Sequence, residues 1–170
     1  IYKGKTNVSG KTVTVKGAAQ APVDGKERYS SAVYVQGGEV NLTADDKLAI
    51  ENTGSDEGNA IGVYGGEAIV KGTSADTIVT VDGNVSASAG KLDLALENAE
   101  SYINGAINTA DNENAVVTLS NGATWNATGE SKVSNLAGNK GEQNISHRSW
   151  VCSRWGLKGG YSTPLPNRIY

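Results

Sequence analysis

The chain has 170 residues, 15 Lys+Arg against 18 Asp+Glu, 22 Gly, one Cys, 6% aromatics, and neither Phe nor Met. That length fits one domain whose core is built from Val, Ile, Leu and Ala; an internal disulfide is excluded, and so is a wide core spanned by bulky aromatics. Residues 1–142 carry 11 Lys+Arg and 18 Asp+Glu, a net of −7, whereas Arg148, Arg154, Lys158 and Arg168 give residues 143–170 a net of +4. The acidic body has no basic patch for a phosphate backbone, which argues against a nucleic-acid partner.

Taken in order, the elements repeat one short pattern. Thr12-Val13-Thr14-Val15-Lys16-Gly17 alternates apolar and polar residues and stops at Gly. Ala18–Ser31 breaks the pattern and reads as a loop. Val33-Tyr34-Val35-Gln36-Gly37-Gly38 restores it, and Val40 and Leu42 continue the alternation, followed by Leu48 and Ile50. Thr53–Asn59 reads as a second loop. Ile61-Gly62-Val63-Tyr64-Gly65-Gly66 follows, then Val79-Thr80-Val81-Asp82-Gly83, then Val85, Ala87 and Ala89, then Leu92, Leu94 and Leu96, and finally Val117-Thr118-Leu119-Ser120-Asn121-Gly122. A period of two gives each strand one dry and one wet face, and Gly and Asn supply the corners. Leu92–Ser101 is the best rival helix by propensity, but its strict alternation favours a strand.

Many short strands cut by Gly/Asn turns predict an all-β fold, a parallel β-helix or β-solenoid with irregular coil lengths. The Val33–Glu39 pattern recurs 28 residues later at Ile61–Glu67, and Leu48–Asn52 resembles Leu94–Asn98 at a distance of 46. About six coils at about 4.8 Å each give a rod roughly 30 Å long. Val13, Val15, Val33, Val35, Leu48, Ile50, Val63, Val79, Val81, Leu94, Leu96, Val117 and Leu119 are expected inside.

The β-helix is expected over 1–140, with an atypical C-terminal segment over 141–170. That segment lacks the alternation and holds His147, Cys152, Trp150, Trp155 and three of the four Arg. It reads either as a cap over the last coil or as a non-native tail, and the compositional break favours the latter. No apolar stretch is long enough to span a membrane and no signal peptide is visible, so the chain, beginning at Ile1, reads as a piece of something longer.

The run Asn121-Gly122-Ala123-Thr124-Trp125-Asn126-Ala127-Thr128-Gly129-Glu130-Ser131-Lys132-Val133-Ser134-Asn135-Leu136 resembles the Trp-bearing rung of pertactin-like autotransporter passenger domains of Gram-negative bacteria. The Val-x-Val-x-Gly-Gly rungs upstream are similar to the same family, and the resemblance covers residues 1 to about 140. It implies a right-handed parallel β-helix displayed at the cell surface through an outer-membrane translocator barrel, or secreted. It further implies a structural or adhesive role, with a host-cell or matrix receptor, a glycan or a neighbouring bacterial cell as partner. Further regular rungs and then the barrel are expected after residue 140 in that family, and residues 141–170 depart from this.

Catalytic, cofactor-binding and metal-ligating residues are each expected to be none. A Ser–His–Asp triad has only His147 to draw on, zinc needs His/Cys clusters that are absent, and Gly54-Ser55-Asp56-Glu57-Gly58 reads as a turn. A β-helical polysaccharide lyase or hydrolase is the alternative. It requires Asp45, Asp46, Asp76, Asp82, Asp93 or Asp111 to converge with Arg28 in one groove, whereas most of these acids read as turn residues. A structural β-solenoid of phage or surface-layer type is a third reading. Gly4-Lys5-Thr6 and Gly10-Lys11-Thr12 lack the rest of a phosphate loop, and Asn7, Asn41 and Asn126 stand in glycosylation tripeptides that Asn/Ser/Thr-rich chains contain by chance. Trp125 reads as packed near one end of the core, with a ligand contact as its alternative role.

Overall fold

The structure, a computed structural model, describes residues 1, 3–17, 31–52, 59–109, 114–138 and 144–147. Among them every regular element is a strand: β1 (Lys5–Gly17), β2 (Val33–Val35), β3 (Glu39–Asn52), β4 (Asn59–Gly72), β5 (Ile78–Asp82), β6 (Asn84–Leu96), β7 (Tyr102–Asn104), β8 (Ile107–Asn108), β9 (Ala115–Leu119), β10 (Thr124–Ala127), β11 (Leu136–Ala137) and β12 (Asn144–His147). The strands belong to one curled sheet, and every ladder in it is parallel.

The register resolves the sheet into three ladders. In the first, Leu42 of β3 lies between Val8 and Val70, and the column continues through Leu94 and Val117 to Leu136. In the second, Val15, Ile50, Val81, Ile103 and Trp125 stand in one row, with β12 beyond β10. In the third, Val33, Ile61, Val85 and Ile107 are aligned at advances of 28, 24 and 22 residues. From β2 onward the chain visits the third, first and second ladders in that order and then begins again. The long strands β3, β4 and β6 each cross a corner and serve two ladders.

Apart from Val8 on β1, which is exposed, the inward columns form one continuous core. Bulky and small side chains alternate along Val40, Ala68, Leu92 and Ala115, so neighbouring layers interdigitate without aromatics. Every residue expected inside is buried except Val15, which is only partly covered. Val15 lies on β1, which has a described strand on one side alone. Ala89, read as part of a dry face, is exposed, because it precedes the corner at Gly90 where the β4/β6 register shifts. The Val33/Ile61 match is a true in-register repeat. The Leu48/Leu94 match is not: Leu48 belongs to the second ladder and Leu94 to the first.

The corner between the third and first ladders explains the Gly-Gly pairs. Gly4, Gly38, Gly66 and Gly90 all have positive φ, at 88°, 80°, 75° and 83°. The carbonyl of Gly4 accepts the Glu39 N–H at 2.8 Å, and that of Gly38 accepts the Glu67 N–H at 2.9 Å. Neighbouring strands approach so closely here that a Cβ on Gly66 would press into the Gly38 carbonyl oxygen. Only glycine combines a left-handed conformation with that approach.

Other corners use small hydroxyl side chains. The buried Ser101 Oγ accepts the Val79 N–H at 2.8 Å, and the buried Ser131 Oγ accepts the Ile107 N–H at 3.1 Å. Thr109 Oγ1, also buried, accepts the Ser134 N–H at 3.0 Å. Each hydroxyl gives an acceptor to a buried or partly buried N–H.

Residues 144–147 continue the second ladder in register with Thr124–Ala127. The division expected at 140/141 thus precedes one further paired strand, and the rest of 141–170, with Cys152 and the Trp150/Trp155 pair, lies outside the described residues.

Candidate functional site

The acids weighed for polysaccharide cleavage are spread over the sheet. Asp45, Asp46 and Asp76 occupy the corner between the first and second ladders. Asp45 accepts the Thr73 hydroxyl at 2.9 Å, Asp46 pairs with Lys11 at 3.5 Å, and the Asp76 N–H donates to Ser74 Oγ at 3.3 Å. Asp93 points outward from the first ladder, 3.8 Å from Lys71, and Asp82 stands on the second ladder. Asp111, Arg28 and the Gly54–Gly58 run lie outside the described residues, as does the side chain of His147. Among the described residues no three His, Cys, Asp or Glu are grouped to hold a metal ion.

The lysines of the two partial phosphate-loop patterns face carboxylates instead. Lys5 meets Glu39 at 2.8 Å, and Lys11 meets Asp46. Lys5, Glu39, Glu67 and Lys91 form one outward row on the first ladder, closed by Lys91 on Glu67 at 2.6 Å. The Lys5 hydrogen bond, then that of Asn41, holds the Glu39 carboxyl below its usual range, and Glu67 holds the Lys91 ammonium above its own. These are exposed pairs, each worth little to stability.

A second outward row runs Lys16, Glu51, Asp82, Asn104 and Asn126. Lys16 pairs with Glu51 at 2.8 Å, the Asn126 amide donates to Asn104 Oδ1 at 2.9 Å, and the Tyr102 hydroxyl donates to Asp82 Oδ2 at 2.9 Å. The Asp82 bond, then burial, raises the Tyr102 phenol above its ordinary value. Trp125 is turned the other way. It is 1% exposed, and its indole N–H donates to the Gly105 carbonyl at 2.9 Å, so it is a core residue and not a ligand contact.

Two other exposed aromatics lie elsewhere. Tyr34 projects outward from the third ladder, opposite Gly62 of the next coil. Because position 62 has no side chain, Tyr64 folds back across it: a Cβ there would sit 2.9 Å from Tyr64 Cε2. The two rings meet with centroids 5.3 Å apart and planes inclined by 37°. They remain 39% and 38% exposed. Asn59 donates its amide to the Tyr64 hydroxyl at 2.9 Å, and the Tyr34 hydroxyl donates to Gln36 Oε1 at 3.4 Å. Ser31 lies beside Gly62 on one side, and Ser86 is its in-register neighbour on the next coil. This paired platform was not recognised in the sequence. Its signal is a tyrosine at the outward position of one Val-x-Val rung, with glycine at that position in the next.

The sequence matches no family model, and neither sequence nor fold has a significant match among curated proteins or solved structures.

Proposed function

We propose that the curled sheet is a right-handed parallel β-helix, and that the chain is part of the stalk of a pertactin-like autotransporter passenger. In this reading the chain is held at the cell surface by an outer-membrane barrel encoded elsewhere in the protein. It performs no chemistry of its own and serves a structural and adhesive role.

The observation that carries this reading is the cyclic order of the three ladders around an unbroken apolar core. Each coil adds about 4.8 Å of length and buries its apolar face against its neighbours. Such a column resists bending because backbone hydrogen bonds run along its axis. The Trp-bearing run supports the family assignment. Trp125 on β10, Ser131 at the corner and Leu136 on β11 fall in one circuit, all buried. Of the described acids, Asp45, Asp46 and Asp76 share one corner while Asp82 and Asp93 stand on the second and first ladders; Asp45, Asp46, Asp82 and Asp93 are engaged by Thr73, Lys11, Tyr102 and Lys71, which favours the stalk over the lyase or hydrolase reading.

Antibody raised against the folded chain tests the reading on the cells that produce it. Intact cells should be labelled, and external protease should remove the label. Labelling that appears only after permeabilisation contradicts it.

A further inference from the structure

We propose that the free edge of β1 accepts a further parallel β-strand from another polypeptide, one with apolar residues facing inward and carboxylates facing outward. The inference goes beyond the stalk reading and depends only on the register of the sheet.

β1 is the terminal strand of both the first and the second ladder, and among the described residues it pairs with β3 alone. The edge beyond it carries backbone groups that a further strand can bond. Residues 5–12 are exposed without a break. The exposure includes the inward face. Val8 is 38% exposed, whereas its register partner Leu42 is 3% exposed. Val15 is only partly covered, whereas its partner Ile50 is fully buried. The apolar columns thus reach solvent at β1, and a strand laid along it would cover them, which is favourable.

Charge selects the occupant. Residues 1–17 hold Lys3, Lys5, Lys11 and Lys16 and no Asp or Glu. The Ile1 ammonium, 2.6 Å from the Tyr34 carbonyl oxygen, adds to the positive charge at this end of the sheet. On its occupied side β1 already shows what matches this pattern. Glu39 and Glu51 stand opposite Lys5 and Lys16, each at 2.8 Å, and Asp46 lies 3.5 Å from Lys11. Leu42, Leu48 and Ile50 stand opposite Val8, Val13 and Val15. The side chains of Lys5, Lys11 and Lys16 remain 55%, 81% and 62% exposed, and an ammonium has three N–H donors, so each can take a second carboxylate on the open side. A second copy of β1 in the same register would oppose lysine to lysine, which disfavours self-pairing through this edge.

The probe is a peptide with the sequence of Glu39–Asn52, blocked at both ends and added to the isotopically labelled full chain. Amide exchange and valine methyl resonances give the readout. Amides of β1 should exchange more slowly and the Val8 methyls should shift, while Leu136 on β11, at the other end of the first ladder, stays in place. The peptide carrying Glu39→Gln, Asp46→Asn and Glu51→Gln should bind about tenfold more weakly, the loss expected for three exposed ion pairs, and about 0.5 M salt should close that gap. No slowing in β1 at millimolar peptide, or equal binding of the neutralised peptide at low salt, overturns the inference. Faster exchange in β3 overturns it too, because the peptide would then displace β3 instead of adding a strand. So does slowing in β1 that tracks the concentration of the chain alone, which makes a second copy the occupant. Surface labelling of cells without these changes discards this inference and leaves the stalk reading standing.

Discussion

Replacing Gly66 with alanine isolates the feature that allows neighbouring strands to close up at this corner. At φ 75° the substitution places an L side chain in the left-handed region, which costs about 1–2 kcal/mol. The new Cβ also meets Gly37 C and Gly38 N at 2.9 Å, in addition to the Gly38 carbonyl oxygen. All three are backbone atoms and cannot rotate aside. Relief requires the coils to part, which weakens the 2.9 Å bond from the Glu67 N–H to that carbonyl, worth about 1 kcal/mol. The sum is about 2–3 kcal/mol before any packing is lost. Two further variants separate the contributions. Gly4 has φ 88° but open space around it, so Gly4→Ala should cost only the conformational part, about 1–2 kcal/mol. A Cβ on Gly10 meets nothing closer than 3.7 Å and Gly10 has no left-handed φ, so Gly10→Ala should change stability by less than about 0.5 kcal/mol. Urea unfolding of the three variants gives the ordering directly. A Gly66→Ala midpoint equal to that of Gly10→Ala would refute the reasoning.

Four other outcomes follow from the structure. Leu94→Ala should lose about 2–5 kcal/mol, and Leu94→Asp should not fold at all, because position 94 is fully buried among apolar neighbours; circular dichroism distinguishes them. Trp125→Phe leaves the Gly105 carbonyl without its 2.9 Å donor and should cost about 1–3 kcal/mol by denaturant titration. Ser101→Ala strands the Val79 N–H and should cost a similar amount, about 1–3 kcal/mol, with faster amide exchange at Val79 as the local readout. Tyr102 should ionise above the ordinary tyrosine range in an ultraviolet pH titration, and Asp82→Asn should bring it down. Since the folded value is the higher one, this contribution to stability is complete below pH about 10 and is lost as pH rises through the folded value.

The sequence revealed those features whose physics is local. Inward–outward alternation in Val33–Val35 or Val117–Leu119 encodes a half-buried strand directly, and Gly37-Gly38 and Gly65-Gly66 encode a corner only glycine can make. The circuit length was obscured because loops between ladders vary, so advances of 28, 24 and 22 residues do not stand out as one repeat. The strands β7, β8 and β11 have two or three residues each, too few for alternation to appear. Ile103, Ile107 and Leu136 were therefore missing from the expected core although all three are buried. The tyrosine platform depends on a relation between coils, Tyr64 lying over Gly62 beside Tyr34, which needs the register before it can be seen.

The account stands on coils stacked in register, and cysteine trapping tests that most directly. In a Cys152→Ser background, Ile69→Cys and Asp93→Cys place thiols on directly opposed outward positions of β4 and β6. Opposed neighbours fall within the span of about 7 Å that a disulfide can bridge between Cα atoms. Asn41→Cys with Asp93→Cys places them two strands apart, at about 10 Å. Mild oxidation should close the first pair and leave the second open. Equal closure of both pairs, or closure of the second alone, would contradict the stacked register.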